Sequence, residues 1–127
     1  MSFDSKQSDT LRDATAMLKA IGNTHRLLTL CALAERPLAV CDLNRRVPIA
    51  QSALSQHLAR LRSAGLVVTE RDGPRIRYAL ADARTRRLIE VVCAEYEIWR
   101  PGADPAVAAA GHTHADPAVS VEARARL

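Results

Sequence analysis

Residues 51–64 read QSALSQHLARLRSA, and Gly65 and the apolar triplet Leu66-Val67-Val68 follow. At 3.6 residues per turn the stretch divides into two arcs. Ala53, Leu54, His57, Leu58, Leu61 and Ala64 fall on one side. Gln51, Ser52, Ser55, Gln56, Ala59, Arg62 and Ser63 fall on the other, with Arg60 at its edge. The spacing predicts an amphipathic helix with an unusual polar face, built from hydroxyls, amides and guanidinium groups without one carboxylate. Short Ser and Gln side chains reach base edges or phosphates, and Arg reaches both. Nothing on this face repels a polyanion, so the stretch reads as the recognition helix of a DNA-binding domain.

The remainder of the chain fits a support for that helix. Its 127 residues suit one domain with tails, and 48% are apolar, enough for a core. Only four are aromatic, so the core is expected to be aliphatic. The net charge is +4 and the pI is about 9.4. Most arginines lie between positions 36 and 87, a local basic patch of the kind that attracts phosphate backbones through counterion release. A basic but merely solvated surface is the competing reading. The first residues lack an apolar run behind a basic start, and no run approaches the ~18 apolar residues of a membrane span. Cys31, Cys41 and Cys93 do not form a secreted disulfide pattern, which makes a reducing cytoplasm the expected compartment.

Residues 1–8 are polar and expected to be flexible. From Asp9, Leu11, Ala14, Met17, Leu18 and Ile21 recur at helical spacing, and Gly22 ends that helix. Asn23 or Thr24 can cap a second helix, HRLLTLCALAE, that buries Leu27, Leu30, Cys31 and Ala34. Pro37 breaks it. A short helix over Val40–Arg46 turns inward Val40, Leu43 and Val47, and Pro48 and Ile49 form the turn into the 51–64 helix. Two short helices, the second with a readout face, are a helix-turn-helix.

Beyond Gly65 the period changes to two. LVVTERDGPRIRYAL reads as strand, turn, strand, with Asp72-Gly73 at the turn and Pro74 beside it. Leu66, Val68, Ile76, Tyr78 and Leu80 are expected on one surface, with Glu70, Arg71, Arg75 and Arg77 around the tip. A basic hairpin directly after a recognition helix is the wing of a winged helix; an ordinary surface hairpin is the blander reading. From Asp82 the helical period returns through Leu88, Ile89, Val91, Val92, Tyr96 and Trp99, too apolar for a simple lid. The first and last helices are therefore expected to pair across a two-fold axis in a homodimer. The folded domain is placed at 9–100, and 101–127, rich in Ala, Pro and Gly, is expected to be a disordered tail. The fold class is mainly α with a small β-hairpin.

NTHRLLTLCAL, VCDL, QSALSQHLARLRSAGLV and RDGPRIRYAL together resemble the ArsR/SmtB family of bacterial repressors over roughly residues 11–99. The resemblance is greatest to the branch that responds to thiol-reactive species. It implies a homodimeric winged helix that binds a pseudo-palindromic operator and releases it when an inducer arrives. It assigns DNA contacts to Gln51, Ser52, Ser55 and Gln56, backbone anchoring to Arg60 and Arg62, and the wing in the adjacent minor groove to Arg71, Arg75 and Arg77. Two departures stand in the turn: Ala50 replaces a capping Ser found in many relatives, and Pro48 replaces a common Gly.

The resemblance also implies a sensing pair, Cys31 with a cysteine of the last helix. Cys93 is the one present, a turn before the relatives' position near Glu97, a shift of ~5.4 Å. Two small apolar core residues are the alternative. Arsenite-responsive members carry CVCDLC where VCDL stands here, so a metalloid site would have to gather Cys31, Cys41 and Cys93. No zinc-type His or Asp pair lies on the last helix, and His112 and His114 in the tail lack companion ligands. No metal or cofactor is expected. Catalytic motifs such as a Gly-rich phosphate loop, HExxH or GxSxG are absent from the sequence, and no enzyme is expected. The sequence thus points to a DNA-binding repressor released by reactive sulfur or an oxidant. A metal-responsive regulator, a regulator without an inducer, and a winged-helix protein-interaction module are the rivals.

Overall fold

Burial of the 51–64 leucines organises the chain. Leu54, Leu58 and Leu61 are fully buried, in one core cluster with Leu30, Leu33, Leu43, Val47 and Ile89, which are equally inaccessible. Each such side chain contributes about 1.5–3 kcal/mol on leaving water. The computed structural model describes residues 4–98. Its elements are α1 (Ser5–Ile21), α2 (Thr24–Glu35), α3 (Val40–Arg46), α4 (Gln51–Ser63), β1 (Val67–Asp72), β2 (Arg75–Leu80) and α5 (Ala83–Glu95). Helix α2 is the central element, packing on α1, α3, α4, α5 and β2.

Local chemistry sets most boundaries. Asp4 caps α1 by accepting from Gln7 N at 2.7 Å, while Gln7 Oε1 accepts from Asp4 N at 3.1 Å. This capping box starts the helix at Ser5, so the segment expected to be flexible through residue 8 is helical from that point. A Cβ at Gly22 would lie 3.1 Å from the Leu18 carbonyl, which explains a glycine at the tight exit from α1. Asn23 caps α2 through His25 N and Arg26 N, and Asp82 caps α5 through Thr85 N. Helix α4 has no such cap: Ala50 offers no side-chain acceptor. The preceding turn is instead held by Asn44, whose Nδ2 donates to Val47 O at 3.2 Å and Ile49 O at 2.8 Å.

The hairpin departs from its expected phase. Gly65 (φ +77°) turns the chain out of α4, and Leu66 is buried before β1 begins. Alternation therefore starts at Val67, which is 1% exposed, whereas Val68 is 43% exposed. Val67 pairs with Leu80 and Thr69 with Tyr78, and these carry the inward face. The Leu66/Val68 register is corrected by one residue, which exchanges the two faces. Ile76, also expected inward, lies beyond the body of the protein and is exposed. Asp72 pairs with Arg75, so Gly73 (φ +63°) and Pro74 form the two-residue turn; Gly supplies the positive φ at the first position. Leu38 adds a single antiparallel bridge to Tyr78, anchoring the approach to α3 on β2.

On α1, Leu11 and Leu18 face solvent, and so do Leu88 and Val91 on α5 and Tyr96 just past its end, with Leu18 63% and Val91 59% exposed. Among the described residues no helix is long and apolar enough to cross a membrane. Trp99, the tail and its two histidines lie outside the described residues.

Candidate nucleic-acid interface

Helix α4 presents the face that its sequence spacing implied. Gln51, Ser52, Ser55, Gln56, Arg60 and Arg62 are all exposed, while Leu54, Leu58 and Leu61 anchor the opposite side. Ala53 and His57 are half-buried, and Ala64, expected inward, is exposed at the helix exit. The outward face holds two guanidinium groups and no carboxylate. Such a surface can donate to phosphate oxygens and to base acceptors without repelling either.

The wing arginines differ from one another. Arg71 and Arg75 are exposed, and neither has an ion pair among the described residues. Arg77 is half-buried and faces two carboxylates, Glu70 at 3.7 Å and Asp72 at 3.8 Å. Its Nε is buried without a hydrogen-bond partner among the described residues. The charge of Arg77 is thus largely balanced from β1. Of the three arginines expected at the wing, Arg71 and Arg75 are open and Arg77 is half-buried beside two carboxylates.

Behind α4 lies a group of basic side chains in which His57, on the inward arc of its helix, meets Arg26, a residue whose place the sequence did not reveal. Arg26, 8% exposed, donates through Nε to Ala20 O at 2.6 Å and through Nη1 to His57 Nδ1 at 3.4 Å. The His25 and His57 ring centroids are 6.1 Å apart. Burial, then Arg26, His25 and Arg60, hold the His57 imidazole below the usual histidine range. Burial and then Arg60 lower the Arg26 guanidinium from its ordinary value. Arg26 is four residues before Leu30, on the same buried face of α2. A charged residue at that spacing was the available signal, as was Asn44 next to the helix-turn-helix turn.

The thiols fall into two classes. Cys31 of α2 (0% exposed) and Cys93 of α5 (3% exposed) form a disulfide, with Sγ–Sγ 2.03 Å and Cα–Cα 6.4 Å. The position one turn before Glu97 is therefore within direct bonding reach of Cys31. Cys41 is free and exposed on α3. Among the described residues no three His, Cys, Asp or Glu side chains come together to hold a metal. The three-thiol metalloid site is corrected on that ground: two of its sulfurs are bonded to each other in the core, and the third faces solvent.

Known proteins share this fold. Residues 23–69 match the model of the bacterial regulatory protein, arsR family. The transcriptional activator HlyU of Vibrio cholerae is 42% identical over 79 residues, 62% of this chain and 73% of that protein. The biofilm growth-associated repressor of Agrobacterium fabrum is 38% identical over 82 residues, 65% of this chain and 70% of the relative. Reduced HlyU from Vibrio cholerae superposes with a TM-score of 0.67 at 36% identity, over 73% of this chain and 98% of that structure. The homodimeric winged helix-turn-helix domain of a possible ArsR-family regulator from Mycobacterium bovis gives a TM-score of 0.68 at 27% identity, covering 76% and 89%. With a shared winged helix-turn-helix and that degree of identity across most of a regulator's length, this chain belongs to the ArsR family of bacterial transcriptional regulators.

Proposed function

We propose that the protein is a homodimeric repressor whose α4 enters the major groove, and that the Cys31–Cys93 pair is its sensor for reactive sulfur or oxidants. Residues 9–100 then carry both DNA binding and dimerisation. The carrying observation is a carboxylate-free outward face on α4 in a chain whose core thiols can be bridged between two helices. Gln51, Ser52, Ser55 and Gln56 contact bases or phosphates. Arg60 and Arg62 hold the duplex backbone, and Arg71 and Arg75 hold it at the wing. Arg77 acts chiefly by ordering the hairpin.

The exposed apolar positions of α1 and α5 support a subunit seam there, since a lone domain would leave them in water. In a two-fold dimer the two α4 helices must match half-sites about one helical turn, ~34 Å, apart. A covalent link between α2 and α5 constrains the helix that reaches the seam, so making or breaking it changes that spacing. HlyU and the Agrobacterium fabrum biofilm repressor are relatives whose names place them in transcriptional control, which favours the same role here.

The test begins with selecting a binding sequence from a random duplex pool. Affinity is then measured for reduced protein, for protein treated with a persulfide or peroxide, and for Cys31→Ser. Weaker binding after treatment, lost in Cys31→Ser, is expected. Equal affinity in all states rejects the sensor, and absence of any enriched duplex rejects DNA recognition. Salt separates the remaining rival. Duplex binding through several phosphates weakens steeply as salt rises, and a protein-interaction surface does not.

A further inference from the structure

Arg26 is buried where α1, α2 and α4 meet, and each guanidinium nitrogen points to a different acceptor. Nε donates to Ala20 O at 2.6 Å and Nη2 to Lys19 O at 3.4 Å, both in the last turn of α1. Nη1 lies 3.4 Å from His57 Nδ1 on α4. The α1 carbonyls are the negative end of a helix dipole, a natural seat for a cation. A guanidinium has only donors, so His57 can receive this bond only through a bare Nδ1. The ring must then be neutral, with its hydrogen on Nε2.

We propose that the Arg26–His57 contact is a strut that positions the recognition helix against the end of α1, and that protonating His57 releases it. The proposal rests on the reading that α4 holds DNA and α1 lies at the subunit seam. Arg26 and His57 are positioning residues in it; neither belongs to the DNA-contacting face of α4. The charges acting on the ring are Arg26 and His25 from α2 and Arg60 from α4 itself. All are basic, and α1, α3 and β1 contribute none of them. Below the imidazole's midpoint Nδ1 gains a proton, two donors face each other, and like charges repel. No carboxylate among those charges is placed to absorb the new one. Released from Arg26, α4 keeps its leucine packing and loses its polar tie to α1.

The experiment compares full-length wild type, His57→Gln and His57→Leu. A glutamine carbonyl can accept from Arg26 at every pH; leucine cannot. Long-range proton–nitrogen spectra of the histidine rings at neutral pH should show His57 with its hydrogen on Nε2. Affinity is then followed on the duplex recovered from the random pool from about pH 8 down to about pH 4.5, because the His57 imidazole is held below the usual histidine value of about 6.5. Wild type should lose affinity toward acid more steeply than His57→Gln, by up to about tenfold per pH unit for each protomer on the duplex, the limit for one linked proton apiece. At the alkaline end His57→Gln should bind like wild type and His57→Leu more weakly. A ring with its hydrogen on Nδ1, or parallel pH profiles for wild type and His57→Gln, overturns the strut. Wild-type affinity that rises with acid overturns it too, and would make the basic group a phosphate clamp. If no variant binds any duplex, the DNA reading fails and the strut with it. Binding with parallel profiles sinks the strut alone.

Discussion

Breaking the Cys31–Cys93 bridge should lower stability by an amount fixed mainly by the chain it encloses. The two cysteines are 62 residues apart in sequence. In the chain-entropy account, releasing a loop of that length returns about 4 kcal/mol of freedom to the unfolded state. Domains have about 5–15 kcal/mol in total, so the loss is a large share. At roughly 4–8 °C per kcal/mol for a domain of this size, the melting midpoint falls by on the order of 15 °C or more. The assay is urea unfolding of the full chain, oxidised and reduced, at one protein concentration because a dimer's stability depends on it. Two accompanying results separate this cause from others. The urea slope should steepen on reduction, because an unbridged unfolded chain exposes more surface. A Cys31→Ala/Cys93→Ala variant should fall slightly below the reduced protein, by about 1 kcal/mol for each side chain shortened in the core. Since Cys31 is 0% and Cys93 3% exposed, reduction under native conditions should be slow and should accelerate in mild urea, which opens α5. Oxidised and reduced curves that agree within about 0.5 kcal/mol, with equal slopes, would refute the loop argument.

Ala50→Ser should stabilise the protein by about 1 kcal/mol, since Ala50 stands at the N-cap (φ −58°, ψ 142°) and lacks only the acceptor; urea unfolding reads it, and no gain would refute the capping argument, because Asn44 donates to carbonyls and leaves the N–H groups of the first α4 turn open. Arg71→Ala and Arg75→Ala should each flatten the salt dependence of duplex binding by about one phosphate's worth per protomer, whereas Arg77→Ala, its charge balanced by Glu70 and Asp72, should flatten it less. Backbone and side-chain hydrogen bonds from Thr85 hold the Asp82 carboxyl below its usual value. Its contribution to stability is therefore present above about pH 4 and lost as pH falls through the folded midpoint, so Asp82→Asn should flatten the acid limb of a stability–pH curve.

The helices were legible where spacing and burial agree. The α3 and α4 ranges follow from Leu43, Leu54, Leu58 and Leu61, because an aliphatic stripe at helical period has one way to face a core. The hairpin's existence was legible from Asp72-Gly73-Pro74, but its phase was not. Leu66 and Val67 are both buried, one outside the ladder and one inside it, and periodicity cannot say where the left-handed turn at Gly65 hands over to strand. The start of α1 was missed because Asp4 and Gln7 form a capping box well ahead of Leu11, the first apolar residue of the helix. The outward residues of α4 were legible for the same reason as its leucines. The state of Arg77 was not, since its neutralisation depends on which β1 side chains lie opposite, and that is fixed by register.

Helix α2 is where the two halves of the proposed function meet. Cys31 fastens it to α5, and Arg26, little more than a turn earlier, fastens it to the end of α1 and to His57 of α4. A bridge buried at its middle and a guanidinium buried at its start leave α2 little freedom to shift independently of the recognition helix. The apolar packing between α2 and α4 holds the helices together through a non-directional attraction, which by itself has no preferred donor or acceptor axis. A directional contact such as the one at His57 is what can convert a small rotation of α2 into a defined tilt of α4. Chemistry at thiols that never touch DNA then has a physical route to the face that does.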